Sequence, residues 1–179
     1  MLRAGSPAPV RSVATVHHPV PALVVRHSGW VTVIRPVTDG DLDELLPMMV
    51  AYCRFYRTDP GREALAELVR ALLADPDNEG VQLLARDDTG TAVGFATIYW
   101  SWDTTEALRI AIMHDLFVDP AARGGGVGRA LIDACASEAS RRGRERLVWE
   151  TAPDNVTAQR VYDATAAERS TWLEYSLAL

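Results

Sequence analysis

The sequence predicts an α/β fold, a central mixed and mostly antiparallel sheet flanked by helices. Three observations carry this reading. Segments with a period of two are interleaved with segments of helical period. Three strand-like segments follow one another in mid-chain, which implies antiparallel pairing. A later strand–helix–strand passage implies parallel pairing through a right-handed crossover. The chain has 179 residues and is 48% hydrophobic, which suits one domain with a real core.

Residues 1–30 carry Arg3, Arg11 and Arg26 and no acid, together with Pro7, Pro9, Pro19 and Pro21. They hold no apolar run of signal-peptide length. They read as a flexible extension, and residues 31–179 as a single domain. Val31 to Arg35 alternates β-branched residues up to Pro36 and reads as the first strand. Thr38 and Asp39 are N-cap candidates for a helix over residues 41–57. Leu42, Leu45, Leu46, Met49 and Cys53 form its apolar stripe, and Pro47 is expected to kink it. Asp59-Pro60-Gly61 breaks the chain before a second helix over 63–74. Strands follow at 81–86, 93–100 and 107–118, the first two joined by the turn Asp87-Asp88-Thr89-Gly90. A third helix spans 127–142, with Leu131, Ala134 and Cys135 inward. Then come a strand at 146–151, a helix at 156–164 and a last strand at 171–177. The predicted order is β-α-α-β-β-β-α-β-α-β.

The composition excludes several chemistries. All 18 basic residues are arginine. No Schiff-base, lysine-base or P-loop mechanism is available without a lysine. Two cysteines are too few for a disulfide framework or a zinc site, and a reducing, cytoplasmic setting is expected. The net charge of -6 opposes nucleic-acid binding. No stretch has the ~20 apolar residues of a membrane helix.

The strongest motif is Arg123-Gly124-Gly125-Gly126-Val127-Gly128-Arg129, between a strand and a helix. Glycines there let the backbone approach a ligand closely. Free N–H groups at a helix start attract anions, and Arg123 and Arg129 can add charge-assisted hydrogen bonds. This is a pyrophosphate cradle. A dinucleotide fingerprint fits poorly, because that motif follows the first strand of a parallel sheet.

The run Arg123-x-x-Gly126-x-Gly128, after Leu116-Phe117-Val118-Asp119-Pro120, resembles the acyl-CoA loop of the GCN5-related N-acetyltransferases. The segment Asn155-Val156-Thr157-Ala158-Gln159-Arg160-Val161-Tyr162 is similar to that family's Asn-x-x-Ala-x-x-x-Tyr segment. Ile34-Arg35-Pro36-Val37-Thr38 and the element order also match. The resemblance covers about residues 31–179. The stretch His114 to Val118 and the ending Trp172-x-x-Tyr175-x-Leu177 look most similar to diamine and other small-molecule acetyltransferases.

The resemblance implies transfer of an acetyl group from acetyl-CoA to a small-molecule amine, directly within a ternary complex, by a protein that is often a homodimer. It places acetyl-CoA in an opening between the strands ending at Val118 and Thr151. Backbone groups at Leu116, Phe117 and Val118 would pair with the pantetheine arm, and N–H groups from Gly124 to Arg129 would hold the pyrophosphate. Asn155 would contact the pantetheine, and Tyr162 would protonate the leaving thiolate. The chemistry agrees: a departing thiolate needs a proton near pH 7, and a tyrosine in reach can give it. Asn155 and Tyr162 are two helical turns apart and share a face. Backbone N–H donors can stabilise the oxyanion of amide formation.

The attacking amine must lose a proton. Relatives similar to diamine acetyltransferases often carry glutamate where this chain has His114, which titrates in the useful range. A water chain to Glu150, Asp115 or Glu106 would serve as well. By simple alternation Ile112, His114, Leu116 and Val118 share one strand face, opposite Met113, Asp115 and Phe117. On the acceptor side, Tyr52, Phe55 and Tyr56 cluster at helical spacing. Trp100, Trp102, Asp103 and Glu106 are expected to line the facing wall, with Glu150 nearby. Aromatic faces can hold a cationic amine and carboxylates can draw it in. Two other functions remain open: acetylation of a protein N-terminus or lysine, and non-catalytic binding of acyl-CoA.

Overall fold

A computed structural model describes residues 22–27 and 30–178. Residues 1–21, most of the expected extension, lie outside that description. The described elements are β1 (Leu23–His27), β2 (Trp30–Pro36), α1 (Leu42–Phe55), α2 (Arg62–Ala74), β3 (Gly80–Arg86), β4 (Ala92–Asp103), β5 (Leu108–Val118), α3 (Val127–Arg141), β6 (Arg146–Val148) and α4 (Val156–Asp163). A single 3-10 turn over Asp39–Asp41 precedes α1. The six strands lie in sequence order in one sheet. Every pairing is antiparallel except β5 with β6. The mixed sheet expected from the sequence is therefore present.

Two ends differ from expectation. Leu23–His27 sits inside the segment read as a flexible extension, yet it pairs antiparallel with β2 from Leu23↔Ile34 to His27↔Trp30. Its Leu-Val-Val run is strand-forming, and the nearby prolines and arginines obscured it. The strand expected at 171–177 does not form. Leu173, Tyr175 and Leu177 alternate as a strand would, but they are exposed, as is Trp172. Alternation marks a capacity to pair, and no edge among the described residues pairs with this segment.

The two sheet faces carry different helices. On one face α1 and α2 bury Leu45, Leu46, Met49, Leu65 and Val69 against Leu84, Phe95 and Phe117. On the other, α3 buries Val127, Ala130, Leu131, Ala134 and Cys135 against Leu83, Ala85, Ala96, Ile98 and Ala111. Val161 and Tyr162 of α4 pack on this second side. Pro47 sits inside α1 without ending it. Gly94 lets β4 and β5 approach: a Cβ there would lie 2.6 Å from the Phe117 carbonyl oxygen.

Asp41, 2% exposed, ties β2, β3 and the first helical turn together. It accepts from both terminal nitrogens of Arg35 at 2.7 Å, from Arg86 at 2.7 Å and from the Thr38 N–H and hydroxyl. These donors, Arg35 first, hold its carboxyl well below the usual carboxylate range.

Candidate active site

The site grows from the divergence of two strands. Parallel pairing of β5 with β6 runs from Ile110↔Arg146 to Ile112↔Val148 and goes no further. Beyond it β5 continues to Val118 while the chain from Trp149 turns away toward α4. The β5 backbone from Met113 onward is thus left facing an opening.

At the end of β5 the glycine loop begins. Gly124 and Gly126 have φ of +84° and +82°, a conformation glycine adopts without steric penalty. Gly126 is the N-cap of α3, and the first helical bond runs from the Ala130 N–H to its carbonyl. The N–H groups of Val127, Gly128 and Arg129 therefore lie ahead of any helical acceptor. The two arginines are committed to the fold more than the sequence suggested. Arg123 Nε donates to the Val118 carbonyl at 3.1 Å. Arg129 donates to Asp133 and, at 2.6 Å, to the Ala164 carbonyl. They brace the loop, and the groups it leaves open are chiefly backbone N–H groups, with Gly125 between the two left-handed glycines.

α4 brings the second motif. Asn155 caps the helix, its Oδ1 accepting from the Ala158 N–H at 3.2 Å. Two turns on, Tyr162 packs edge-on against Trp149, with ring centres 5.6 Å apart. Burial, with Tyr56 close by, pushes its phenol up to about 12, so the hydroxyl keeps its proton at neutral pH. The Thr151 hydroxyl oxygen, on the chain between β6 and α4, is buried without a partner.

β5 carries a bulge that strict alternation could not reveal. Thr97 pairs with Asp115 and Ile98 with Met113, so His114 has no opposite number. The extra residue shifts the pleat by one. Met113 consequently joins Leu116 and Val118 on the α3 side, which corrects the grouping by alternation. Asp115 and Phe117 turn to the α1 side, and His114 projects beside Asp115. His114 Nδ1 lies 3.2 Å from Asp115 Oδ1. That hydrogen bond, aided by the charges of Asp115 and Glu150, raises the imidazole above its ordinary value against the opposing effect of burial.

Tyr52 donates its hydroxyl to the His114 carbonyl at 3.3 Å. Its ring meets Tyr56 at 5.0 Å, and Tyr56 meets Phe55 at 5.1 Å. Phe55 is 64% exposed, so the stripe reaches solvent. Trp100 does not face it. Its indole N–H donates to the Pro76 carbonyl at 2.9 Å, and Arg142 and Arg144 stack on its ring. Trp100 belongs to the α3 side, and its expected place in the acceptor wall is corrected. Asp103 and Glu106 are likewise paired, with Arg146. The aromatic on the α1 side of β4 is Tyr99, whose ring lies 5.5 Å from that of His114. Burial, then the charges of Asp115 and Glu79, push its phenol up to about 12. Period two from Phe95 through Thr97 could have found it.

Residues 45–166 match the acetyltransferase (GNAT) family. The chain belongs to that family. As a GNAT protein it is an acetyl-CoA-dependent N-acetyltransferase. It is 30% identical over 138 residues to the uncharacterized N-acetyltransferase YhfO of Bacillus subtilis (strain 168), covering 77% of this chain and 91% of the relative. It is 32% identical to a D-amino-acid N-acetyltransferase of Saccharomyces cerevisiae, covering 75% and 83%. A crystal structure of a probable acetyltransferase superposes with a TM-score of 0.72 at 27% identity, covering 82% of this chain and 97% of that one. Among the described residues of this GNAT chain, no helix is long and apolar enough to cross a membrane.

Proposed function

We propose that this acetyltransferase acetylates the primary amine of a small molecule, by direct transfer with both substrates bound. One observation supports the reading: His114 and Asp115 are bonded on β5, Tyr52 holds the His114 carbonyl and packs on Tyr56, and Tyr56 is near enough to influence the Tyr162 phenol. An amine entering from α1 meets a base on one side and a proton donor on the other.

The residues fit acetyl-CoA on several counts. The left-handed glycines and open N–H groups at the start of α3 suit a pyrophosphate. Backbone at Leu116, Phe117 and Val118 faces the opening, where an amide-bearing arm can add like a strand. Asn155 and the unpartnered Thr151 hydroxyl lie on the chain that leaves β6 for α4, where each can meet the arm. The bound thioester supplies the acetyl group. His114, oriented by Asp115, takes the proton from the ammonium, and Tyr162 gives one to the sulfur. Cys53 is half-buried and Cys135 fully buried, with its thiol pushed up by burial. Neither is suited to carry the acetyl group. A homodimer belongs to this proposal, since exposed Trp172, Leu173, Tyr175 and Leu177 offer apolar surface to a second copy.

Thiol release from acetyl-CoA, followed across a panel of amines, tests the proposal. Turnover with free amines supports it. Turnover confined to peptides would replace it with protein acetylation, and tight CoA binding without turnover with a binding module.

A further inference from the structure

We infer that the acceptor is a monocationic arylalkylamine, an aromatic ring joined by a short chain to one primary ammonium. This rests on the acetyltransferase reading of the site and names its substrate class.

One carboxylate sits at the inner end and a second, exposed, lies within electrostatic reach of it. Asp115 is mostly buried, bonded to His114 Nδ1, and close enough for its charge to act on Tyr52 and Tyr99. Glu150 is near enough for its charge to stabilise the His114 imidazolium. An ammonium is drawn to this end, where its proton is removed. From there outward the surface is aromatic. Tyr52, Tyr56 and Phe55 form an unbroken edge-to-face chain ending in a ring that is 64% exposed. An exposed aromatic run leading from a reacting centre is surface that a ligand can cover. Ring-on-ring contact is its natural use.

Charges flanking the aromatic run weigh against a polycation. Arg54 and Arg57 are both exposed and flank Phe55 and Tyr56 in sequence. The nearest carboxylate in sequence, Asp59, has one oxygen occupied by the Gly61 N–H at 3.2 Å. Two guanidinium groups against one carboxylate in this segment disfavour a second ammonium and leave a neutral ring unaffected. A flexible polyamine or an aminoglycoside therefore fits worse than an amine with one charge and a flat apolar body.

The test measures kcat/KM for 2-phenylethylamine, ethylamine, spermidine and an aminoglycoside at saturating acetyl-CoA. The wild-type protein is expected to prefer 2-phenylethylamine over each of the others by about tenfold or more. Phe55→Ala and, separately, Tyr56→Leu are expected to reduce the phenylethylamine-to-ethylamine ratio several-fold. Circular dichroism verifies that both variants fold, and Phe55 is exposed enough for its removal to leave the core untouched. Preference for spermidine or the aminoglycoside, with thiol release intact, would overturn the substrate class and leave the acetyltransferase reading standing. An unchanged ratio in both variants would also overturn it. No release with any of the four amines would overturn the substrate class and the small-molecule reading together.

Discussion

His114 Nδ1 lies 3.2 Å from a carboxylate oxygen of Asp115, its immediate neighbour in the chain. Adjacent residues on a regular strand point to opposite faces, so this contact depends on the bulge opposite Thr97 and Ile98. The bulge makes a histidine–carboxylate pair from two consecutive residues at the point where β5 and β6 part. With the imidazole raised, the base is protonated until higher pH. The low-pH limb of kcat/KM is expected above the ordinary histidine value of ~6.5. Asp115→Asn removes the neighbouring charge, destabilises the imidazolium and should move the limb to lower pH. His114→Ala should flatten it. A limb that stays in place in both variants would exclude His114 as base.

The role proposed for Tyr162 is the opposite one. Burial keeps its phenol protonated through the whole neutral range, so it is available as a donor and not as a base. Tyr162→Phe keeps the ring against Trp149 and removes the proton. It is expected to lower kcat by about 10²–10⁴-fold, the usual worth of a positioned acid. CoA affinity, measured by calorimetry, should change little. A matching loss in affinity would make the hydroxyl a binding group instead.

Gly126 is the proposed hinge between loop geometry and anion binding, because its left-handed backbone leads into the first N–H groups of α3. Alanine in that conformation costs roughly 1–2 kcal/mol. Gly126→Ala is expected to weaken CoA binding by about tenfold or more, with a smaller effect on dephospho-pantetheine fragments that lack the pyrophosphate. Equal weakening of both ligands would argue that the loop reshapes the whole opening.

The central elements were legible because each buries one face at a fixed period. The stripe of α1 and the runs of β3 and β4 state their partners plainly. The glycine loop and the Asn155-to-Tyr162 segment were legible because few folded roles need those residues in that order. The bulge at His114 was not, since it arises from the mismatch between two strands and neither strand shows it alone. Trp100 misled for a related reason. Its aromatic character was visible, but its side of the sheet depends on the pairing of β4, which puts Tyr99 on the α1 side instead. Leu23–His27 and residues 171–177 show the converse. Pairing is a property of an edge and a segment together, so a segment's own pattern neither guarantees nor excludes it.

Asp41 offers a test of stability apart from catalysis. Its carboxylate is 2% exposed and held by Arg35, Arg86 and Thr38. The Arg35 guanidinium above all holds its folded pKa below the ordinary carboxylate value. The stabilisation is therefore present above the unfolded value, ~3.9, and is lost as pH falls below it toward the folded pKa. Asp41→Asn leaves two guanidinium groups facing a neutral amide, although Arg86 retains Glu44. The expected cost at pH 7 is about 3–5 kcal/mol, the range for breaking one partner out of a buried ion pair. Urea unfolding at pH 7 and at pH 3 provides the measurement. The gap between wild type and variant should shrink at pH 3, because protonation begins to remove from the wild type what the substitution has already removed. A gap that is constant across that range would mean that Asp41 acts through packing and not through its charge.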